Sequence, residues 1–240
     1  LTFDDITRLV AAQRNAAWKD VARRIAHEIK NPLTPIQLSA ERLRRKYRKE
    51  ISSDLETFDR CTDTIVRQVE DIGRMVDEFS AFARMPAPKF SVCDPAELLR
   101  QAVFARRVAH PDIEIEIDVQ TDTAQIVCDE RMVGQALTNV LKNAAEAVET
   151  RRHACAQPPG RIVARLTSKD GQLTYEIEDN GVGLPARDRD RGTVPDVTTR
   201  EKGTGLGLAS GKRMLEDHSG GLTLLDSATG QGALVTLTLP

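Results

Sequence analysis

Three short stretches of this 240-residue chain carry residue types that could do chemistry together. The first is His27-Glu28-Ile29-Lys30-Asn31-Pro32. An imidazole on a helix surface can take up a proton or a transferable group, the neighbouring Glu28 can orient or deprotonate it, and Asn31, one turn on, shares its face and can position a water. A zinc-protease pattern is excluded, because position 31 is Asn where a second His would be needed. The second is Asn139-Val140-Leu141-Lys142-Asn143. Its two amides fall one helical turn apart, opposite Val140, Leu141 and Ala144, and their oxygens suit Mg²⁺, which prefers oxygen ligands and keeps several waters. Two solvated amides on a polar helix face are the plain alternative. The third is a pair of glycine clusters, Asp179-Asn180-Gly181-Val182-Gly183 and Gly203-Thr204-Gly205-Leu206-Gly207. A carboxylate at a strand end can accept from an adenine amino group, glycines admit close backbone approach, and helix-opening N–H groups suit phosphate. Neither familiar nucleotide fingerprint fits: Leu208 stands where a dinucleotide motif needs glycine, and Leu206 and Arg213 break a P-loop ending at Gly211-Lys212. Each cluster alone is weak, since Asp-Asn-Gly is an ordinary turn.

These residues need elements to position them. From Trp18 the apolar positions Ala22, Ile25, Ile29, Leu33, Ile36, Ala40, Leu43 and Tyr47 recur in steps of three and four, which predicts a long amphipathic helix that Pro32 and Pro35 should kink. His27, two residues from both Ile25 and Ile29, points roughly opposite that seam. A second run, Leu55, Phe58, Thr62, Ile65, Val69, Ile72, Val76, Phe79 and Ala83, keeps the spacing of a coiled coil. Joined through residues 50–53, the two make an antiparallel hairpin with half of each stripe uncovered; a homodimer forming a four-helix bundle would cover it, and packing on the rest of the chain is the alternative. Met85-Pro86-Ala87-Pro88 then breaks the period and marks a domain boundary. Beyond it, Asp94-Pro95 predicts a capped helix. Alternation over 113–117 and near 161–167, 173–178, 221–225 and 233–239 predicts strands, with helices over about 130–149 and 205–218. The polar, glycine-rich stretch 184–204 reads as a loop. The fold class is therefore α plus α/β, a helical hairpin followed by a sandwich with helices on one face of a mixed sheet.

The bulk numbers restrict the function. With 34 basic and 36 acidic residues the net charge is −2, so no global field draws the chain to nucleic acid. Residues 14–50 nonetheless hold eleven Lys/Arg against four Asp/Glu, a basic stripe that an acidic partner could meet. The four cysteines are 32, 35 and 27 residues apart, matching neither a metal knuckle nor a small disulfide framework, and read as reduced cytosolic thiols. No apolar run reaches the ~18 residues of a membrane span. The chain starts without Met at Leu1-Thr2-Phe3, as though cut from a longer protein.

In order and spacing the three stretches together resemble the H, N, G1 and G2 boxes of two-component sensor histidine kinases, with an ATP-binding domain of the Bergerat type, over roughly residues 14–240. Within that family the run from Arg23 to Leu43 is most similar to the NtrY-type nitrogen-responsive kinases. The resemblance implies a homodimeric phosphotransfer domain at 14–86, a catalytic ATP-binding domain at 87–240, and at 1–13 the end of a PAS-like sensor domain with its signalling linker. It implies that His27 is phosphorylated, Glu28 is its base and Asn31 assists dephosphorylation of a response regulator with an NtrX-like receiver domain. ATP and Mg²⁺ are the implied cofactors: Asn143 as metal ligand, Asn139 near the phosphates, Asp179 reading adenine, and Gly181 and Gly183 shaping the pocket. Gly203, Gly205 and Gly207 would hinge a lid, with Arg200 and Lys202 on phosphate. The membrane would be met only through upstream segments, making this the cytoplasmic region of a bacterial inner-membrane protein. Three departures from the family pattern, Glu146 in place of a basic residue, no aromatic in Gly192–Asp196, and Ser210-Gly211 within a helix, point to low nucleotide affinity. A regulator phosphatase or scaffold, and an ATPase of the gyrase or Hsp90 type, are the alternative functions.

Overall fold

A computed structural model describes residues 7–121, 125–155, 157–184, 206–228 and 230–240, without the side chains of 7–20, 22, 23 and 206. The chain separates into two compact units, 1–86 and 87–240.

The first unit is a hairpin of α1 (Thr7–Tyr47) and α2 (Leu55–Ala83). Of the reading for 1–13, residues 1–6 lie outside the described residues and the chain is helical from Thr7. α1 continues as one helix through Pro32 and Pro35. Each proline lacks an N–H, so the carbonyls four residues earlier, of Glu28 and Asn31, lose their helical donors.

The single apolar seam expected on each helix divides into two stripes. On α2 the buried residues are Thr62, Val69, Val76 and Ala83, one heptad position, together with Ser80, while Ile65 and Ile72 at the other heptad position remain 43% and 36% exposed. α1 buries Ala26 and Ala40 and leaves Ile29, Ile36 and Leu43 exposed. Lys30 pairs with Asp77 and Arg44 with Asp63, and Arg48 Nε donates to Asp59 at 3.0 Å. As α1 advances through these positions α2 retreats one for one, so the pairs mark a fixed antiparallel register. They also consume part of the basic stripe of residues 14–50 inside the chain. Lying at the surface, where solvent screens them, these pairs add little to stability.

The second unit holds β1 (Ser91–Cys93), α3 (Pro95–Ala109), β2 (Glu114–Gln120), β3 (Ile126–Cys128), α4 (Glu130–Ala154), β4 (Arg161–Lys169), β5 (Gln172–Asp179), α5 (Leu206–Glu216), β6 (Gly221–Asp226) and β7 (Ala233–Leu239). Five strands form one sheet in the order β2-β4-β5-β7-β6, parallel between β2 and β4 and antiparallel elsewhere. Burial alternates along β5 and β7: Leu173, Tyr175, Ile177 and Asp179, with Val235, Leu237 and Leu239, face a core shared with α3, α4 and α5. The other face carries charge, including Arg165 against Glu178 at 3.3 Å. This is the one-sided covering expected of a mixed sheet. Asp94 caps α3, accepting from the N–H groups of Ala96 and Glu97 at 2.8 and 3.1 Å. The antiparallel pair β1-β3 was not anticipated, because three residues per strand are too few for alternation to register.

Candidate functional site

His27, Glu28 and Asn31 are all exposed on α1. At about 100° per residue, His27 lies roughly 160–180° around the helix from Ile29, Ile36 and Leu43. A second chain covering that stripe would leave the imidazole in solvent. The Glu28 carboxylate accepts from Arg24 Nε at 2.9 Å, an exposed i, i+4 pair. Such a pair opens at little cost, so Glu28 remains available to the imidazole.

The remaining candidates gather on one row of α4. Asn139, Asn143 and Ala147 are spaced four apart and follow one another along a single face. At one end, Asn139 Nδ2 donates to the Gly207 carbonyl at 3.2 Å, while its Oδ1 accepts from Gln135 at 2.9 Å. At the other, the Ala147 carbonyl accepts from Val182 N at 3.3 Å. Asn143, half-buried, stands between them. Residues Asp179–Gly183 and the start of α5 are thus joined through α4 and separated by about two turns, about 12 Å along its axis.

The Asp179 turn is built to close tolerances. Its carboxylate is buried, and Oδ1 accepts from Gly181 N at 2.8 Å. A Cβ on Gly181 would stand 2.6 Å from the Ala147 carbonyl carbon, so only glycine lets the turn lie against α4. Gly183 adopts φ +75°, which favours glycine. Asn180 Oδ1 accepts from Arg161 N at 2.9 Å and its Nδ2 donates to the Pro159 carbonyl at 2.8 Å, tying the turn to the start of β4. Glu146 is half-buried, 3.8 Å from Lys142 Nζ. Arg200, Lys202, Gly203 and Gly205, with the loop 184–204 beyond its first residue, lie outside the described residues.

Sequence reasoning missed two supports. Gly232, at φ +99°, backs onto Asp179, where an added Cβ would lie 1.8 Å from the Asp179 carbonyl oxygen. His218, buried beyond the C-terminal end of α5, accepts at Nε2 from Asp129 N at 2.9 Å, its Nδ1 lying 2.6 Å from the Met214 carbonyl. The Asp129 carboxylate in turn caps α4, accepting from Met132 N at 3.1 Å, and holds Lys89 N at 2.8 Å. α5 is therefore fastened to α4 near both ends, by Asn139–Gly207 and by Asp129–His218. A buried histidine after a helix gives no periodic signal; only the tertiary fold reveals its partner.

Comparison with known proteins separates the same two regions. The family model for the His Kinase A (phospho-acceptor) domain matches residues 17–88, and that for the histidine kinase-, DNA gyrase B- and HSP90-like ATPases matches 128–240. The chain is 55% identical to the nitrogen regulation protein NtrY of Azorhizobium caulinodans, over all of this chain and 31% of that protein. It is 40% identical to the putative sensor histidine kinase NtrY-like of Rickettsia prowazekii, over 95% of this chain and 37% of that one. The chain thus spans about a third of the length of the curated relatives it matches. Among solved structures, the mycobacterial sensor histidine kinase MprB is 30% identical with a TM-score of 0.53, covering 63% of this chain and 97% of that one. The histidine kinase ThkA, solved in complex with the response regulator protein TrrA, shares the fold at 20% identity and a TM-score of 0.65, over 100% of this chain and 68% of that one.

Proposed function

The chain belongs to the NtrY-like sensor histidine kinases, and from that premise we propose that it transfers the γ-phosphoryl group of ATP to His27 and then to an aspartate of a response regulator. The observation that carries this reading is the exposure of His27 on the side of α1 away from the uncovered apolar stripe, in a chain whose second unit has an ATPase-family fold.

ATP would lie along α4, its adenine amino group donating to Asp179 and its phosphates directed toward Asn139 and the start of α5. The donor set fits Mg²⁺ there, with the Asn143 amide oxygen as protein ligand; bound metal would neutralise charge on the phosphates. A ring nitrogen of His27 attacks the γ-phosphorus in line as the bond to ADP breaks, and Glu28 takes the proton from the other ring nitrogen. Such transfer depends mainly on positioning and charge neutralisation, so the nucleotide-bearing unit must reach His27. Residues 14–86 serve as dimerisation and phosphotransfer domain, the exposed Ile29, Ile36, Leu43, Ile65 and Ile72 covering one another between two copies. Asn31, exposed one turn after His27, supports dephosphorylation of the regulator, an NtrX-like receiver, by positioning water. The whole protein is a nitrogen-responsive sensor held in the bacterial inner membrane by segments outside this chain, a reading that rests on its similarity to NtrY.

Incubation with γ-labelled ATP and Mg²⁺ should give acid-labile, base-stable label on the protein. His27→Gln and Asn143→Ala should each reduce it to background. Label retained in His27→Gln removes the phosphoacceptor assignment; steady hydrolysis without any phosphohistidine identifies a gyrase-type ATPase instead.

A further inference from the structure

Two of the four cysteines meet. Cys93 closes β1 and Cys128 closes β3, and in the antiparallel register Cys93 lies opposite Ile126 while Cys128 lies opposite Ser91. The two cysteines are therefore diagonal neighbours on one face of the ladder, the face turned to the core. Their sulfurs are 2.6 Å apart, and Cys93 Sγ also lies 3.6 Å from the Ile126 carbonyl oxygen. All four cysteines are free thiols, Cys61 and Cys155 being exposed. We propose that Cys93 and Cys128 are a redox modification site, a vicinal thiol pair that hydrogen peroxide converts into a disulfide bridging β1 and β3, reversible by a dithiol reductant.

The two thiols differ in access, which sets the order of events. Cys128 is 1% exposed, and burial first, then contact with Cys93, pushes its thiol up and keeps it protonated. Cys93 is half-buried and is thus the more accessible of the two thiols, the one at which oxidation would begin. Its sulfur attacks one peroxide oxygen, the O–O bond breaks, and Cys93 becomes a sulfenic acid with release of water. The Cys128 sulfur then attacks that of Cys93, the S–O bond breaks, and the hydroxyl leaves with the Cys128 proton as a second water. Two thiols lose two electrons in all, and the peroxide is reduced to two waters. The second step uses a thiol that ionises poorly, but one already in contact with its target. Closing the bond brings the sulfurs to about 2.05 Å.

The bridge would sit at a junction. Cys93 is followed at once by Asp94, the cap of α3, and Cys128 by Asp129, the cap of α4. Oxidation therefore ties together the starts of two core helices that lie 35 residues apart in sequence. Closing a loop of that length restricts the unfolded chain and raises the melting temperature of the catalytic unit.

The test uses the full 240-residue chain with Cys61→Ser and Cys155→Ser, which leaves only the pair. After hydrogen peroxide and alkylation of remaining thiols, peptide mass spectrometry should find a Cys93–Cys128 linked peptide, with both thiols lost together. The melting temperature should rise by roughly 5–10 °C and return on treatment with dithiothreitol. In the same background, Cys93→Ser should leave Cys128 alkylatable after peroxide. Recovery of both cysteines fully alkylated, or of Cys93 as a sulfinic acid with Cys128 free, overturns the proposal. So does oxidation of Cys128 at an undiminished rate in Cys93→Ser. None of these readouts depends on phosphoryl transfer, so the site stands or falls separately from the kinase reading.

Discussion

Gly232 touches the site without belonging to any motif, and its constraint differs from that of an ordinary turn glycine. At Gly232 both a positive φ and the Asp179 carbonyl oxygen oppose a side chain; at Gly171, φ +78°, only the backbone conformation does. Gly232→Ala should therefore cost roughly 3–5 kcal/mol and Gly171→Ala roughly 1–2, compared by urea unfolding. The Asp129 carboxyl gives a second test. Burial pushes it up, but the N–H groups of Lys89 and Met132 and the Arg131 guanidinium outweigh burial and hold it below its ordinary 3.8. A value lower in the folded state than in the unfolded one means that unfolding takes up a proton in acid. The stabilisation is complete above 3.8 and is lost as pH falls through the lower folded value. Asp129→Asn should be less stable than the parent at neutral pH, and the gap between their unfolding free energies should close as pH drops below 3.8.

At the scale of elements, the helix α5 contains a correctable weakness. Gly211 lies in its interior, yet a Cβ there would rest 3.5 Å from Leu222 Cδ1 and 3.9 Å from Ala136 Cβ, ordinary contact distances. Gly211→Ala should stabilise the second unit by about 1 kcal/mol, read as a higher urea midpoint with an unchanged slope. The glycine was visible in the sequence as a cost; that alanine fits was not, because the space depends on strands and helices distant along the chain. The same division holds elsewhere. Heptad spacing revealed α2 because four repeats give a strong period, and Asp94-Pro95 revealed α3 because capping is local chemistry. The two stripes of the hairpin could not be told apart, since Val69 and Ile72 are equally apolar and only the position of α1 decides which is covered. The site divides likewise. Asn139, Asn143, Asp179 and Gly181 could be picked out by residue type and spacing. The row of α4 that joins Asn139 to Gly207 and Ala147 to Val182, and the roles of Gly232 and His218, depend on contacts between residues far apart in sequence.

The whole molecule is two bodies with different claims to independence. The core of the second, from Ala96 to Leu239, is filled by its own side chains, with Leu99, Leu137, Leu141, Ile177, Leu215 and Leu237 almost fully buried. Expressed alone, residues 87–240 should unfold cooperatively, with a midpoint independent of how much protein is present, as tested by calorimetry over about a hundredfold dilution. Among its described side chains the hairpin buries little beyond Thr62, Val69, Val76, Ala26, Ala40 and a few neighbours, and leaves Ile29, Ile36, Leu43, Ile65 and Ile72 exposed. Residues 7–86 alone should melt at a temperature that rises with protein concentration over the same range, and substituting Ile65 and Ile72 by Ala should flatten that rise. The divided heptad stripe then has a consequence for abundance. Where copies of this chain are few, the hairpin that carries the proposed phosphoacceptor His27 is expected to be sparsely folded while the second unit stays intact, so abundance would itself set how much of that hairpin is available.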